Sequence, residues 1–368
     1  MKRKRQRWTH KKGKYRKDRI SKMPDNVLLH IMSFLDTKSA VRTCVLSQRW
    51  KDLPKSLTKL RFNSLVAGRY ECFKKFASWV LSTRDHSCSL FDLYINSHMH
   101  AYKSETVEEV IKYALFHKVQ QLKLSIFVEK ADFELFPLIF RCKSVEFLDL
   151  DIKKSASFMS ILPKSLCMPE LKSLRLSYVG FSSSGYQCAQ PFSNCHNLNT
   201  LVLSYFGFLN DVQVLFISNS TLSSLTITEL HAYPIVLCTP NLRSFTIKGH
   251  AGHQLSSTCN LSFIEEVNLN VDGCATTGDG KTSIIIKLLR VFANAKTLAL
   301  SFHVIQMILQ DLSNPNSVKP QPPRFVRLES LKVTRNSLAN ISYEGIIEVV
   351  EYLLLNSPMT KVNVIIHA

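Results

Sequence analysis

The sequence predicts an α/β chain in two unequal parts: a short all-helical unit near the amino terminus, then an irregular solenoid. In the solenoid, parallel strands line the concave face and helices and loops cover the convex face. Three observations lead there. Apolar residues recur at helical spacing between residues 24 and 50. From Leu57 onward the pattern apolar-x-x-apolar-x-apolar returns twelve times. The positive charge is concentrated at one end, outside both patterns. With 368 residues, 45% of them hydrophobic, the chain can bury a large core.

The first element is a basic tail, residues 1–17. Residues 1 to 19 hold 11 Lys or Arg against Asp18, so +10 of the net +19 lies there. A run such as MKRKRQRWTHKKGKYRK has no apolar periodicity to repay the entropy of ordering, and it is expected to be disordered. Lys2, Arg3, Lys4 and Arg5, with the KK and KYRK clusters behind them, form a flexible polybasic stretch of the type nuclear import receptors read. No apolar signal region follows it, and no apolar run approaches the roughly 20 residues that span a bilayer. Secretion and membrane insertion are therefore not expected. The ten cysteines never fall in a C-x2-C pair, so no zinc finger or thioredoxin-like site is indicated and reduced thiols are expected.

The second element spans residues 18–56. Pro24 suits a first helical turn, and Val27, Leu28, Ile31, Met32 and Leu35 follow at helical spacing. Asp36, Thr37 and Ser39 offer capping oxygens for a next helix carrying Ala40, Val41, Cys44, Val45 and Leu46. A unit this small cannot hide all these side chains, since chains below about 40 residues rarely fold alone. Part of the apolar surface is expected to meet a partner.

This segment resembles the F-box of plant-type proteins, on the residues Asp18 to Ser21, Pro24, Asp25, Ile31, Ser33 to Leu35, Ala40 to Thr43, Leu46, Ser47, Arg49 and Trp50, matched in order and spacing. Met23 stands where the family usually has Leu, and Leu53-Pro54 where many relatives have Leu-Trp. The resemblance implies docking on a Skp-type adaptor, which ties the chain to a cullin scaffold and a RING subunit. It implies Pro24, Val27, Leu28, Ile31, Leu35, Val41, Leu46 and Trp50 as the adaptor-binding residues.

The third element, residues 57–368, is the repeat array, with pattern starts 20 to 33 residues apart. Each copy alternates near its end, so pairs such as Leu122 and Leu124, Leu174 and Leu176, or Leu201 and Leu203 are expected to point inward. Amphipathic connectors at 73–81, 284–292, 304–312 and 346–355 are expected to be helices. Thr106 and Glu109 read as a capping box ahead of another. The array resembles the leucine-rich repeats of plant F-box proteins. Residues 325–368 resemble their carboxy-terminal FBD region, with Glu348, Tyr352, Leu353, Asn356 and Val362 in place.

The concave face of such a solenoid is where a target protein is expected to bind. The outward strand residues Tyr94, Asn96, Lys123, Asp149, Asp151, Arg175, Thr226, Thr228, Asn268, Asn270, Lys332 and Thr334 are the candidates. The string ATTGDGKT at 275–282 fits a relaxed phosphate-binding loop. Asp279 would lie beside the phosphates, however, and a glycine-rich repeat loop with a capping Thr282 or Ser283 explains it better. His98 with His100, and His250 with His253, lack a nearby Cys or carboxylate to complete a metal site. No cofactor is called for.

The function expected from this reading is non-enzymatic: the substrate-recognition subunit of a Skp-cullin-F-box ubiquitin ligase. Its partners are the adaptor, through it the cullin and RING subunits, and an unidentified protein target, with no membrane. An F-box protein acting outside a ligase is one alternative. A nucleic-acid-binding protein using the basic tail is another, and nucleic acid is not the favoured partner.

Overall fold

A computed structural model describes residues 20, 22–63, 70–97, 104–128, 136–154, 159–209, 211–229, 231–249, 254–271, 281–314, 319–334, 341–357 and 363–367. The basic tail, with Lys2 to Arg5, lies outside the described residues.

Three short helices open the chain: α1 (Asp25–Met32), α2 (Thr37–Arg42) and α3 (Gln48–Asp52). Asp36 caps α2, its side chain accepting from the Ser39 N–H at 2.9 Å and the Ser39 hydroxyl at 2.7 Å. Burial opposes ionisation of Asp36, but the hydrogen bonds from Ser39 outweigh it and hold the carboxyl below its ordinary value. Asp25 and Arg49 pair across the unit and tie α3 to α1. Leu28, Met32, Ala40, Trp50, Leu53 and Leu57 make its core.

A parallel sheet of twelve strands follows. In spatial order its strands are β1 (Lys59–Asn63), β2 (Asp92–Ser97), β3 (Gln121–Val128), β4 (Phe147–Lys154), β6 (Ser173–Ser177), β9 (Thr200–Ser204), β12 (Ser224–Glu229), β14 (Ser244–Gly249), β16 (Glu266–Val271), β17 (Thr297–Ser301), β18 (Ser330–Thr334) and β19 (Asn363–His367). Each of the twelve sequence copies supplies one strand. The inward leucines Leu122, Leu124, Leu174, Leu176, Leu201 and Leu203 are all at most 1% exposed. The chain is thus an α/β protein with a helical amino-terminal module and a parallel-strand solenoid.

Behind the sheet, the connectors divide by length. Spacings of 29 to 33 residues contain helices: α4 (Tyr70–Thr83), α5 (Ser104–Phe116), α7 (Lys281–Val291), α8 (Phe302–Ser313) and α9 (Tyr343–Leu354). The spacing before β4 has only the four-residue α6 (Phe136–Ile139) among its described residues. Between β4 and β16 the spacings are 20 to 27 residues, and the sequence reading of loops there needs correction. These connectors form two further parallel sheets, β5 (Ser160–Ile161), β7 (Val179–Phe181) and β10 (Gly207–Phe208) in one, and β8 (Cys188–Ala189), β11 (Val214–Ser218), β13 (Pro234–Cys238) and β15 (Gln254–Ser257) in the other. About 11 residues make a three-turn helix, so a 20-residue repeat that already spends five or six on its strand has too little chain left once two turns are made. A second correction concerns Thr106, which lies inside α5 and is buried rather than capping it.

Asn219 closes one of the short turns. It is 5% exposed, donates to the Phe192 and Cys195 carbonyls at 3.1 and 2.8 Å, and accepts from the Thr221 N–H at 3.0 Å. The helical module covers the edge of β1: the buried Thr37 hydroxyl accepts from the Arg61 N–H at 2.7 Å. Arg84, 3% exposed, bridges the joint by donating to the Leu57 and Ser89 carbonyls at 3.1 and 2.8 Å and to the Tyr113 hydroxyl at 3.3 Å. The module and the repeats therefore share packed, hydrogen-bonded contacts.

Candidate functional site

Two surfaces stand out, one on the helical module and one on the open face of the main sheet. On the module, the apolar stripe is wider than the interior can absorb. Val27, Ile31, Phe34, Leu35, Val45 and Leu46 are 38 to 82% exposed. Val27 and Ile31 are one helical turn apart on α1, and Phe34 and Leu35 follow at its end, so the patch continues along one side of the helix.

The structure divides the eight residues proposed for adaptor binding. Pro24, Val27, Ile31, Leu35 and Leu46 are exposed. Leu28 and Trp50, at 0 and 5% exposure, hold the module's own core and offer no contact surface as folded. Val41 is half-buried and packs against the solenoid core. The reason is geometric: helical spacing identifies apolar positions but does not say which side of a three-helix unit is enclosed. Phe34 and Val45 were missed as contact candidates, although Phe34 stands in the matched S-F-L segment and Val45 among the apolar positions of the second helix already named.

On the sheet, the strand register arranges the target-binding candidates in two rows. Tyr94, Lys123, Asp149, Arg175, Thr226, Asn268 and Lys332 lie on one, which Arg61, Val202, Thr246 and Ala299 complete. Asn96, Asp151, Thr228, Asn270 and Thr334 lie two residues further along their strands. Lys248 belongs to this second row and was missed, although it stands in register with Asn270.

Charges on the amino-terminal strands are largely engaged with one another. Lys123 meets Asp149 at 2.9 Å and lies 5.5 Å from the Tyr94 ring centroid, and Arg61 meets Asp92 at 3.7 Å. Burial pushes the Asp92 carboxyl above its ordinary value, against the pull of Arg61 and Lys59. The Ser125 hydroxyl donates to Asp151 at 2.9 Å. Past the strand exits, Tyr178 and Tyr205 stack at 5.1 Å and 18°, and the Lys153 ammonium sits 5.1 Å from the Tyr178 centroid.

Of the competing sites, only the end of the glycine-rich string falls among the described residues. Thr282 is buried and its hydroxyl donates to the Met307 carbonyl at 3.1 Å, so it is already used in packing α7 on α8. Residues 275–280 of the glycine-rich string, and His98, His100, His250 and His253, lie outside the described residues. Among the described residues, no group of three or more His, Cys, Asp or Glu could hold a metal, and no helix is long and apolar enough to cross a membrane.

The fold is thus a small helical module with an exposed apolar side, joined to a repeat scaffold with an open polar sheet. Comparison with known families agrees. The F-box domain matches residues 20–62, and the family described as "FBD-associated F-box protein At5g56370, LRR repeats" matches residues 107–304. Similar curated proteins come from Arabidopsis thaliana. The putative F-box/FBD/LRR-repeat protein At4g13965 is 32% identical over 64% of this chain and 54% of its own length. The FBD-associated F-box protein At4g10400 is 31% identical over 62% and 55%. The F-box/LRR-repeat protein At3g03360 is 26% identical over 94% and 69%. The chain belongs to the FBD-associated F-box/leucine-rich-repeat family, and its matched region covers about half the length of the first two of these relatives. Neither matching family is a family of enzymes.

Proposed function

We propose that this chain is the substrate-recognition subunit of a Skp-cullin-F-box ubiquitin ligase. F-box domains generally bind a Skp-type adaptor, and the observation that carries the reading here is the exposed apolar patch Val27, Ile31, Phe34, Leu35, Val45 and Leu46. Large apolar side chains exposed together on one small module suit a protein interaction surface. The open sheet face would hold the target, and the Thr37 and Arg84 contacts would keep the two surfaces in one orientation. Function then rests on proximity: ubiquitin transfer is performed by other subunits on a target held at high effective concentration. No residue of this chain needs to do chemistry.

The test is affinity capture of the full chain and of its Ile31→Asp, Leu46→Asp double variant, with the ligase arrested. Adaptor, cullin and RING subunit should accompany the wild type and be lost from the variant, while target proteins remain on both. Capture of adaptor without cullin would instead favour an F-box protein working outside a ligase.

We further propose that the basic tail directs the protein to the nucleus, on the strength of Lys2, Arg3, Lys4 and Arg5. At 42.0 kDa slow passive entry complicates whole-protein imaging. Residues 1–19 should therefore be fused to a cargo too large for passive entry and compared with a fusion carrying those four residues as Ala. Nuclear accumulation of the first fusion alone is expected; cytoplasmic retention of both would refute the proposal.

A further inference from the structure

We propose that the open sheet face takes an extended target segment carrying two negatively charged side chains four or six residues apart, one held by Arg175 and the other by Lys248. This rests on the reading that the open face binds the target, and it names the chemical class of what is bound.

The charge distribution over the sheet carries the inference. On β1 to β4, acids and cations occur together and engage each other, as Arg61 does Asp92 and Lys123 does Asp149. Beyond β4 the balance changes. Arg175, Lys248 and Lys332 point from the open face without an ion pair among the described residues, and the one acid described there is Glu266. Arg175 is in register with Asp149, but that carboxylate is bound to Lys123 on its other side. From β6 to β14 the open face thus carries two cations, Arg175 and Lys248, and no acid of its own among the described residues.

The register fixes the spacing of the two cations. Arg175 aligns with Val202, Thr226 and Thr246 on the next three strands, and Lys248 lies two residues beyond Thr246. Strands lie about 4.8 Å apart with a rise of about 3.3 Å per residue, so the two backbone positions are roughly 16 Å apart. An extended peptide covers that distance in about five residues, and of the neighbouring separations four or six turn both side chains to the same face.

Between the cations the floor consists of Val202, Ser204, Thr226, Thr228 and Thr246, all half-buried and short. No large apolar side chain is exposed on it, so the floor suits a polar backbone better than an apolar anchor. Its hydroxyls can donate to and accept from an extended peptide. At the strand exits the floor is bounded by the Tyr178–Tyr205 stack. Both tyrosines adopt left-handed backbone, φ 60° and 50°, at the same register on neighbouring repeats.

A nucleic acid is disfavoured as the occupant. A continuous phosphate backbone needs a row of cations, whereas Arg175 and Lys248 are the two on β6, β9, β12 and β14 that face the open side, three strands apart.

The experiment immobilises the full chain through its Skp-type adaptor and presents a synthetic library of twelve-residue peptides with phosphoserine among its building blocks. Peptides with two Asp, Glu or phosphoserine residues four or six positions apart should be enriched over bare adaptor. The Arg175→Glu, Lys248→Glu variant, with an unchanged melting temperature, should capture them at least tenfold less. Enrichment of the carboxylate pairs alone would assign acidic segments, and of the phosphoserine pairs alone, phosphorylated ones. Three results overturn the proposal: no enrichment, enrichment of neutral or basic peptides, or equal capture by the charge-reversed variant. A Thr226→Trp variant separates the two levels. If non-acidic peptides are enriched and Trp blocks them, the open-face reading stands while the acidic class falls; if Trp does not block them, both fall. A twelve-nucleotide single-stranded RNA that binds through Arg175 and Lys248 where acidic peptides do not would also overturn it.

Discussion

Leu201 and Ser204 stand three residues apart on β9, on opposite faces of the sheet. Leu201 is fully buried in the solenoid core and Ser204 lines the open face. Leu201→Ala should lower unfolding free energy by about 2 to 5 kcal/mol, and Ser204→Ala by under about 0.5 kcal/mol, read by urea denaturation. Equal losses would mean that the strand faces the other way. This facing was legible in the sequence, because a period of two over four or five residues leaves one choice of interior once leucine marks it. Asn219 was not legible. Its role depends on the carbonyls of Phe192 and Cys195, which lie 27 and 24 residues earlier and approach it only after the repeats stack. Asn219→Ala leaves both carbonyls without their side-chain donor and should cost about 2 to 4 kcal/mol by the same measurement. A change under about 0.5 kcal/mol would show that water or neighbouring groups replace it.

Elements were legible to different degrees, for different physical reasons. Twelve strands could be read because every repeat must bury the same inward pair. The five longer convex helices could be read because each turns an apolar stripe to the core. Of the second-layer strands, β5, β7, β8 and β10 escaped because two or three residues are too short for periodicity to show, and β11, β13 and β15 because they lie in the connectors, outside the recurring pattern. In retrospect the spacing of pattern starts carried the information, the shortest repeats being those without helices. The joint between module and repeats was invisible, since nothing local marks Arg84 as buried. Arg84→Met removes the donors to the Leu57 and Ser89 carbonyls but keeps much of the side-chain volume. Hydrogen exchange should then accelerate around residues 53–60 and 84–90 while the amides of β9 to β14 stay protected. Unchanged exchange at the joint would mean that apolar packing alone holds it.

At the scale of the whole molecule, the module caps the first strand of the sheet while leaving its other side uncovered. A cap with no further role would turn its apolar residues inward, as Leu28, Met32 and Trp50 do. Large apolar side chains, among them Phe34, Val45 and Leu46, instead face solvent. Sequence reading located this unit through its resemblance to the F-box but could not separate core from surface, and so placed Leu28 and Trp50 among the contact residues. That separation decides how the central claim is tested, because a charge at Leu28 would unfold the module, whereas charges at Ile31 and Leu46 should leave it intact. The direct measurement is the affinity of the full chain for a Skp-type adaptor, compared with that of the Ile31→Asp, Leu46→Asp variant at matched melting temperature. Burying two unpaired carboxylates in the interface should weaken binding at least about 100-fold, or roughly 2.7 kcal/mol. Undiminished binding by the folded variant would contradict the assignment of this patch as the adaptor surface.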